Sequence, residues 1–362
     1  LYAIWQYDNH IDEESGNMVI EEQTLLKTSF VKVMENDVII DGTDDNWSSY
    51  LPNIKTMRHY NRGVFTADNS GNVRKIKLSP YCISKYEVTR ALFNSVMKKD
   101  FDSICSRYVD AARERSFTDN SEWSEKDNCA MNFISWFDTI AFCNKLSLLM
   151  GKTPCYTVEG IDNWENLSYY AIPDNTADSM YSKWAAVTVN MSANGYRLPT
   201  EAEWEFAARG GDQSQDDWKY AFAGVQSSGN AYDSDNGYLK DDANLEDYGW
   251  FGRDSNHSIP IHVVGKKNGN RLDIYDMSGN LYEWCWDIFN TPYNNDAAYM
   301  ANGVIVNPLG AGIDPYGGIN RSYRGGAVNC EAGFCTVSYR TMGSIYTRSL
   351  TSGFRLAQTV TE

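Results

Sequence analysis

The residues densest in potential chemistry are Glu201, Glu203 and Glu205, which follow Tyr196-Arg197-Leu198-Pro199-Thr200 and have Arg197 and Arg209 near either end. Carboxylates this close could trade protons as a general acid and base. The same residues also form a helix start, because Thr200 and Glu203 make the T-x-x-E box in which each side chain satisfies a free backbone donor. The neighbouring arginines would then grip the carboxylates bidentately and tie loops to the helix. That structural use is the expectation. A second block, Tyr275-Asp276-Met277-Ser278-Gly279-Asn280-Leu281-Tyr282-Glu283-Trp284, sets a Gly-Asn turn between aromatic runs. Asn280 could cap the turn through its amide or lend oxygens to a structural calcium ion, and the plain turn is preferred.

The four histidines, His10, His59, His257 and His262, are scattered, with no pair at ligand spacing on one helix. Eight cysteines include no C-x-x-C pair and no histidine at metal-finger spacing, so zinc is not expected. Neither G-x-x-x-x-G-K-[ST] nor G-x-G-x-x-G occurs, which leaves nucleotide chemistry without a foothold. No cofactor is expected from these residues alone.

Few elements are on hand to position such groups. Thr89 precedes Ala91, Leu92, Phe93, Val96 and Met97. Ser135 opens Trp136 to Leu149, with Trp136, Ile140, Cys143 and Ser147 in one stripe, and Thr200 opens Glu201 to Arg209. Each pairs a capping residue with apolar residues at helical spacing and predicts a helix. Strand-like segments are short and broken by Gly, Asn and Asp, as at Val73 to Leu78, Val263 to Gly265 and Ser322 to Arg324. Stretches at 155–192, 210–262 and 287–318 read as long loops held down by their aromatics. No repeat or linker divides the chain, so an α+β domain over residues 29–362 with an N-terminal extension over residues 1–28 is expected.

The 362 residues are 42% hydrophobic and 14% aromatic, enough for a packed core. With 48 acidic against 32 basic side chains the formal charge is -16, which repels phosphate backbones and anionic lipid. Nucleic acid and a bare membrane surface are therefore not expected partners. No apolar run approaches the roughly 20 residues of a spanning helix. Leu1 opens the chain without a signal pattern, from which a trimmed leader is expected.

The stretch from Arg321 to Arg355 has a different texture. Arg324-Gly325-Gly326, Cys335, Tyr339-Arg340, Arg348 and Gly353-Phe354-Arg355 stand as anchors between runs with neither helical nor strand periodicity. Such runs suit a rigid frame that presents exposed positions to a ligand.

As a set, the motifs resemble those of the formylglycine-generating enzyme (sulfatase-modifying factor) family. They are Ile83-Ser84-Lys85-Tyr86-Glu87-Val88-Thr89, Ser135-Trp136-Phe137-Asp138 with Phe142-Cys143-Asn144-Lys145-Leu146-Ser147, the Arg197 to Arg209 and Tyr275 to Trp284 blocks, and the closing Arg324 to Arg355. They occur in the family's order over about residues 29–357. The resemblance implies a C-type lectin-like fold. In the oxidising members a cysteine pair after the Gly-Gly binds copper and converts a substrate cysteine to formylglycine. Cys330 and Cys335 match that spacing, and two thiolates are suitable soft ligands for Cu(I). Those enzymes carry His, Ser and Tyr between the cysteines, where this chain has Glu331-Ala332-Gly333-Phe334.

The likeness is greater to non-enzymatic spirochaetal members, the variable proteins in which a diversity-generating retroelement mutates adenines in the C-terminal coding region. Asparagine-type codons there become almost any NNY codon. Val328, Asn329, Cys330, Phe334, Thr341, Gly343, Ser344, Ile345, Tyr346, Ser349, Leu350, Thr351 and Ser352 all belong to that codon set, whereas Glu331 and Met342 do not. The expectation is a non-enzymatic, monomeric protein whose variable segment, about residues 327–352, offers those positions to a protein or other macromolecule. Phe334, Ile345, Tyr346 and Leu350 would give apolar contact, and Asn329, Ser344 and Thr351 adaptable polar contact. Copper-dependent oxidation through Cys330 and Cys335 is the alternative. The resemblance also implies an outer-membrane lipoprotein at the cell surface, meeting the membrane only through a lipid anchor absent from this chain.

Overall fold

The computed structural model describes residues 10–11, 18–19, 29–41, 63–65, 75–99, 101–105, 120–228, 231–233, 238–252, 260–289, 303–310 and 320–360. The extension expected over residues 1–28 lies outside these, apart from the paired strands His10–Ile11 and Met18–Val19.

Helices begin where the capping residues stand. Thr89 Oγ1 accepts from Leu92 N at 3.2 Å and opens α1 (Arg90–Met97). Ser135 opens α2 (Trp136–Leu149) with a full capping box, its Oγ accepting from Asp138 N while its own N donates to Asp138 Oδ2 at 2.8 Å. Thr200 and Glu203 make the expected box at the head of α3 (Glu201–Ala208). The strands that carry the tail and its frame are, in chain order, β1 (Phe30–Lys32), β2 (Val38–Asp41), β3 (Lys75–Leu78), β4 (Tyr81–Ser84), β5 (Tyr196–Arg197), β6 (Tyr282–Ile288), β7 (Val304–Val306), β8 (Asn320–Arg324), β9 (Arg340–Ser344), β10 (Ser352–Gly353) and β11 (Ala357–Thr359). They form sheets in the orders β9-β8-β6-β10, β1-β4-β11-β5 and β7-β3-β2. The last strand therefore sits inside a sheet, with Ala357 opposite both Ile83 and Arg197.

Three local expectations need correction. The apolar stripe predicted for α2 is instead a helix buried on every side from Trp136 to Ser147. The segment 155–192, expected as a loop but carrying the short helix Tyr181–Ala185 and the paired strands Tyr156–Thr157 and Thr188–Val189, closes around it together with the tail: Phe137 meets Trp184 with ring centroids 5.4 Å apart, and Phe142 meets Phe354 edge-on at 5.1 Å. Val263 to Gly265 is not a strand. Val263 forms an isolated bridge to Cys129, and Gly265 N gives its hydrogen to Asp276 Oδ2 at 2.7 Å, so a side chain takes the bond a neighbouring strand would need.

The three neighbouring carboxylates of α3 are structural. Arg197 grips both oxygens of Glu203 at 2.7 Å. Glu205 accepts from Arg209 Nε at 2.9 Å, from Arg324 Nη2 at 2.6 Å and from Val64 N at 2.6 Å. Glu201 is paired with Arg340. Burial alone would push the Glu201 carboxyl up, but the Arg340 guanidinium, with Arg324 behind it, outweighs burial and holds the group below its ordinary 4.5. An acid whose folded value is depressed adds stability above its unfolded value and loses it as pH falls through the folded one. Glu201→Gln should therefore destabilise by about 3–5 kcal/mol at neutral pH, because Arg340 is left buried without its counter-charge. The variant should also weaken the fall in stability below pH 4.5. Urea unfolding across a pH series measures both effects.

Candidate ligand-binding face

Four tail arginines end on carboxylates of the frame, in α2, α3 and β6. Arg324 binds Glu205, and the same guanidinium gathers the carbonyls of Val337 at 2.9 Å and Tyr339 at 3.0 Å. Arg340 donates through Nε to Glu201 Oε1 at 2.9 Å and through Nη2 to Oε2. Arg348 takes both oxygens of Asp138, at 2.9 and 2.8 Å, and Tyr169 Oη at 3.0 Å. Arg355 takes both oxygens of Glu283 at 2.6 Å and reaches the carbonyls of Ser84 and Tyr275. The planar fork of each arginine fixes direction as well as distance, so the backbone at positions 324, 340, 348 and 355 has little freedom.

Between these clamps the side chains divide. Asn329 is exposed, while Cys330, Phe334, Thr341, Ser344, Tyr346, Ser349, Leu350 and Thr351 are half-buried at the surface. Tyr346 lies edge-on to Tyr181 at 5.8 Å, and Phe334 edge-on to Tyr339 at 5.2 Å. The hydroxyls of Ser349 and Thr351 are 3.4 Å apart. Three residues expected on display are instead buried: Val328 at 1% exposure, Ile345 at 0% and Ser352 at 1%. Val328 N donates to Asn280 O, Ile345 belongs to the core around α2, and Ser352 Oγ donates to Ile134 O at 3.1 Å. Gly343 is partly exposed but not exchangeable without rearrangement, since a Cβ there would lie 2.3 Å from Tyr323 Cε2 and 2.5 Å from Trp284 Cη2.

Other residues adjoin this face without having been expected there. Thr347 is exposed at the end of a turn closed by its own N on Ser344 O at 3.0 Å. It lies in the same unbroken run as Tyr346, so it was within reach of sequence reasoning. Tyr181 and Tyr282 come from distant segments, and no sequence signal ties them to the tail. The charged groups of the segment point inward: Arg340 and Arg348 are paired, and Glu331 is buried. The outward side chains from Asn329 to Thr351 are uncharged.

Cys330 and Cys335 are free thiols. Cys330 Sγ donates to Tyr282 Oη at 3.0 Å, and Cys335 Sγ fills the space where Gly326 lacks a Cβ. Burial pushes the Cys330 thiol up. Tyr282 and the Ala327 N–H offset this in part, and the Glu331 carboxylate adds to it. Burial pushes Cys335 up further. In the metal-free chain these surroundings favour the neutral thiols.

Asn280 donates through Nδ2 to Glu87 and accepts at Oδ1 from His262 N at 3.1 Å, so both ends of its amide hold the turn. His262 is buried and stacks on Trp250 at 3.6 Å, while His59, His257 and the His10 side chain lie outside the described residues. Among the described residues no group of three or more His, Cys, Asp and Glu side chains is placed to hold a metal ion.

The pairings of Arg197, Arg324, Arg340 and Arg355 connect the same sequence blocks that suggested the resemblance. The sulfatase-modifying factor enzyme 1-like domain matches residues 53–360. This chain belongs to that family. Its fold is α+β of the formylglycine-generating enzyme type. The family relatives include the chaperone protein LppX of Paenibacillus barcinonensis, 32% identical over 234 residues, or 64% of this chain and 70% of that protein. The formylglycine-generating enzyme of Thermomonospora curvata is 25% identical over 319 residues, 81% of this chain and 87% of that enzyme. Among solved structures, Treponema denticola variable protein 1 matches with a TM-score of 0.61 at 29% identity, covering 81% of this chain and 91% of that one. The likeness to the variable-protein branch of the family, expected from the tail, therefore holds in three dimensions.

With its thiol raised and half-buried, Cys330 should react with iodoacetamide at neutral pH at least about tenfold more slowly in the native chain than in urea. Peptide mass mapping reads the labelling, and equal rates would contradict the geometry around Tyr282.

Proposed function

We propose that this is a non-enzymatic ligand-binding protein in which the family's frame holds the tail from Asn329 to Thr351 as a diversified recognition face. The observation that carries the reading is the division of the tail: its arginines are locked to frame carboxylates, while Asn329, Cys330, Phe334 and the residues from Thr341 to Thr351 other than Ile345 and Arg348 reach the surface. Rigid presentation limits the entropy lost on binding. Tyrosine, phenylalanine and leucine interleaved with Ser, Thr and Asn make the adaptable mixture found in paratopes. The ligand is a protein or other macromolecule. A formal charge of -16 argues against nucleic acid and anionic lipid. Likeness to a Treponema variable protein and the NNY-compatible residues of the tail support diversification by a retroelement. We place the protein at the cell surface as a lipoprotein, with likeness to the same protein and to LppX in support, and take it to act as a monomer.

A copper-dependent oxidase is the competing reading, favoured by the placement of Cys330 and Cys335 and by the 25% identity to a formylglycine-generating enzyme. A protein array probed with the parent chain and with the double variant Asn329→Lys, Phe334→Ala separates the two. Binding to at least one array protein should fall by more than about tenfold in the variant. Its melting temperature should stay within about 3 °C of the parent. Oxygen uptake with a cysteine-containing peptide and Cu(I), abolished by Cys330→Ser, would replace the binding reading with the oxidase. A reverse transcriptase and an adenine-rich template repeat beside the coding sequence are expected if the tail is diversified as proposed.

A further inference from the structure

Exposure alone does not decide which tail positions can change, because the backbone path and the rings beneath it impose their own limits. Gly343 lies over Trp284 and Tyr323, whose ring centroids are 3.8 Å apart and which are 0% and 7% exposed. Neither ring can yield the distance that a new Cβ requires without disturbing β6 or β8. Ile345 is buried against α2, and its carbonyl accepts from Phe137 N at 3.2 Å, satisfying one of the free donors in the first turn of that helix. The tail is therefore part of the start of α2.

Met342 and Thr347 behave differently. Met342 is 38% exposed, alternates with Gly343 along β9, and has its backbone set by pairing with Ser322. Thr347 is exposed, with its backbone fixed by the bond to Ser344 O and by the Arg348 clamp that follows. Neither position needs its own side chain to hold the path of the chain.

We propose that the fold tolerates exchange in this tail only in an outer register that includes Met342 and Thr347, and that Gly343 and Ile345 are fixed by the frame. The consequence for ligand choice rests on the binding reading above, but the register itself is a property of folding. It also separates two causes of constancy. Met342 lies outside the NNY codon set, so its constancy would reflect its codon, whereas constancy of Gly343 would reflect the fold.

The test is made on the full chain, with melting temperature and chymotrypsin resistance measured for Met342→Asn, Thr347→Tyr, Gly343→Asn and Ile345→Asn. The first two should melt within about 1 °C of the parent. The last two should lose at least about 3 °C or fail to fold. Gly343→Ala, which adds only the clashing methyl, should be measurably destabilised even where Gly343→Asn yields no folded protein. Parent-like melting of Gly343→Asn or Ile345→Asn, or unfolding of Met342→Asn or Thr347→Tyr, would overturn the register. No ligand enters these measurements, so failure of the binding reading would leave their outcome unchanged.

Discussion

A guanidinium sealed from water without its carboxylate carries a penalty of several kcal/mol, and this tail seals Arg324, Arg340 and Arg355 almost completely. Each is tolerable in one place, opposite Glu205, Glu201 or Glu283, with its remaining donors spent on particular carbonyls. Pairs of this kind add little net stability over well-packed apolar groups. What they contribute here is uniqueness of path. A tail shifted by one residue would bury several unpaired charges together, so the competing registers are excluded whatever side chains lie between the clamps.

The clamps also explain why a region with little regular structure can still be rigid. Asp138 serves three purposes: it closes the capping box of α2, receives Arg348, and lies within reach of the Tyr169 hydroxyl at 3.4 Å. Glu205 likewise joins Arg209, Arg324 and the Val64 N–H. Each carboxylate is a junction between segments far apart in the chain, and the aromatic packing around α2 and around α3 seals those junctions from water. In that low-dielectric setting the bonds strengthen one another, and a half-satisfied junction would be severely destabilising.

How much of this was legible in the sequence follows from the range of each interaction. The caps at Thr89, Ser135 and Thr200 act over three residues and could be read directly, as could the Arg197 to Glu203 pair, separated by six. Arg340 and Glu201 are 139 residues apart, and Arg348 and Asp138 are 210 apart, so nothing local announces those partnerships. The division of the tail was readable only in part for the same reason. Residue type and codon suggested which positions could vary, but they carry no information about depth, and Val328, Ile345 and Ser352 proved to be interior. Gly343 is the sharpest case. Its constraint comes from Trp284 and Tyr323, two rings contributed by other strands, and becomes visible only when β9 is laid against β8.

The placement of the chain end extends this logic. β11 lies between β4 and β5, and Phe354 packs on Phe142, so the tail returns to the core beyond its displayed portion. The entropy of closing a loop depends on its length and stiffness far more than on the identity of its exposed side chains. With both ends and two interior points fixed, that cost is nearly constant as outward residues are exchanged. Substitutions at the surface can then alter what is recognised while the free energy of folding stays almost unchanged. Enlarging the variable segment toward Gly343 or Ile345 would break this separation, because a change there acts on the Trp284–Tyr323 contact or on the start of α2. The range of tolerable diversity is thus limited by that pair of rings and that helix terminus, together with the interior positions Val328 and Ser352.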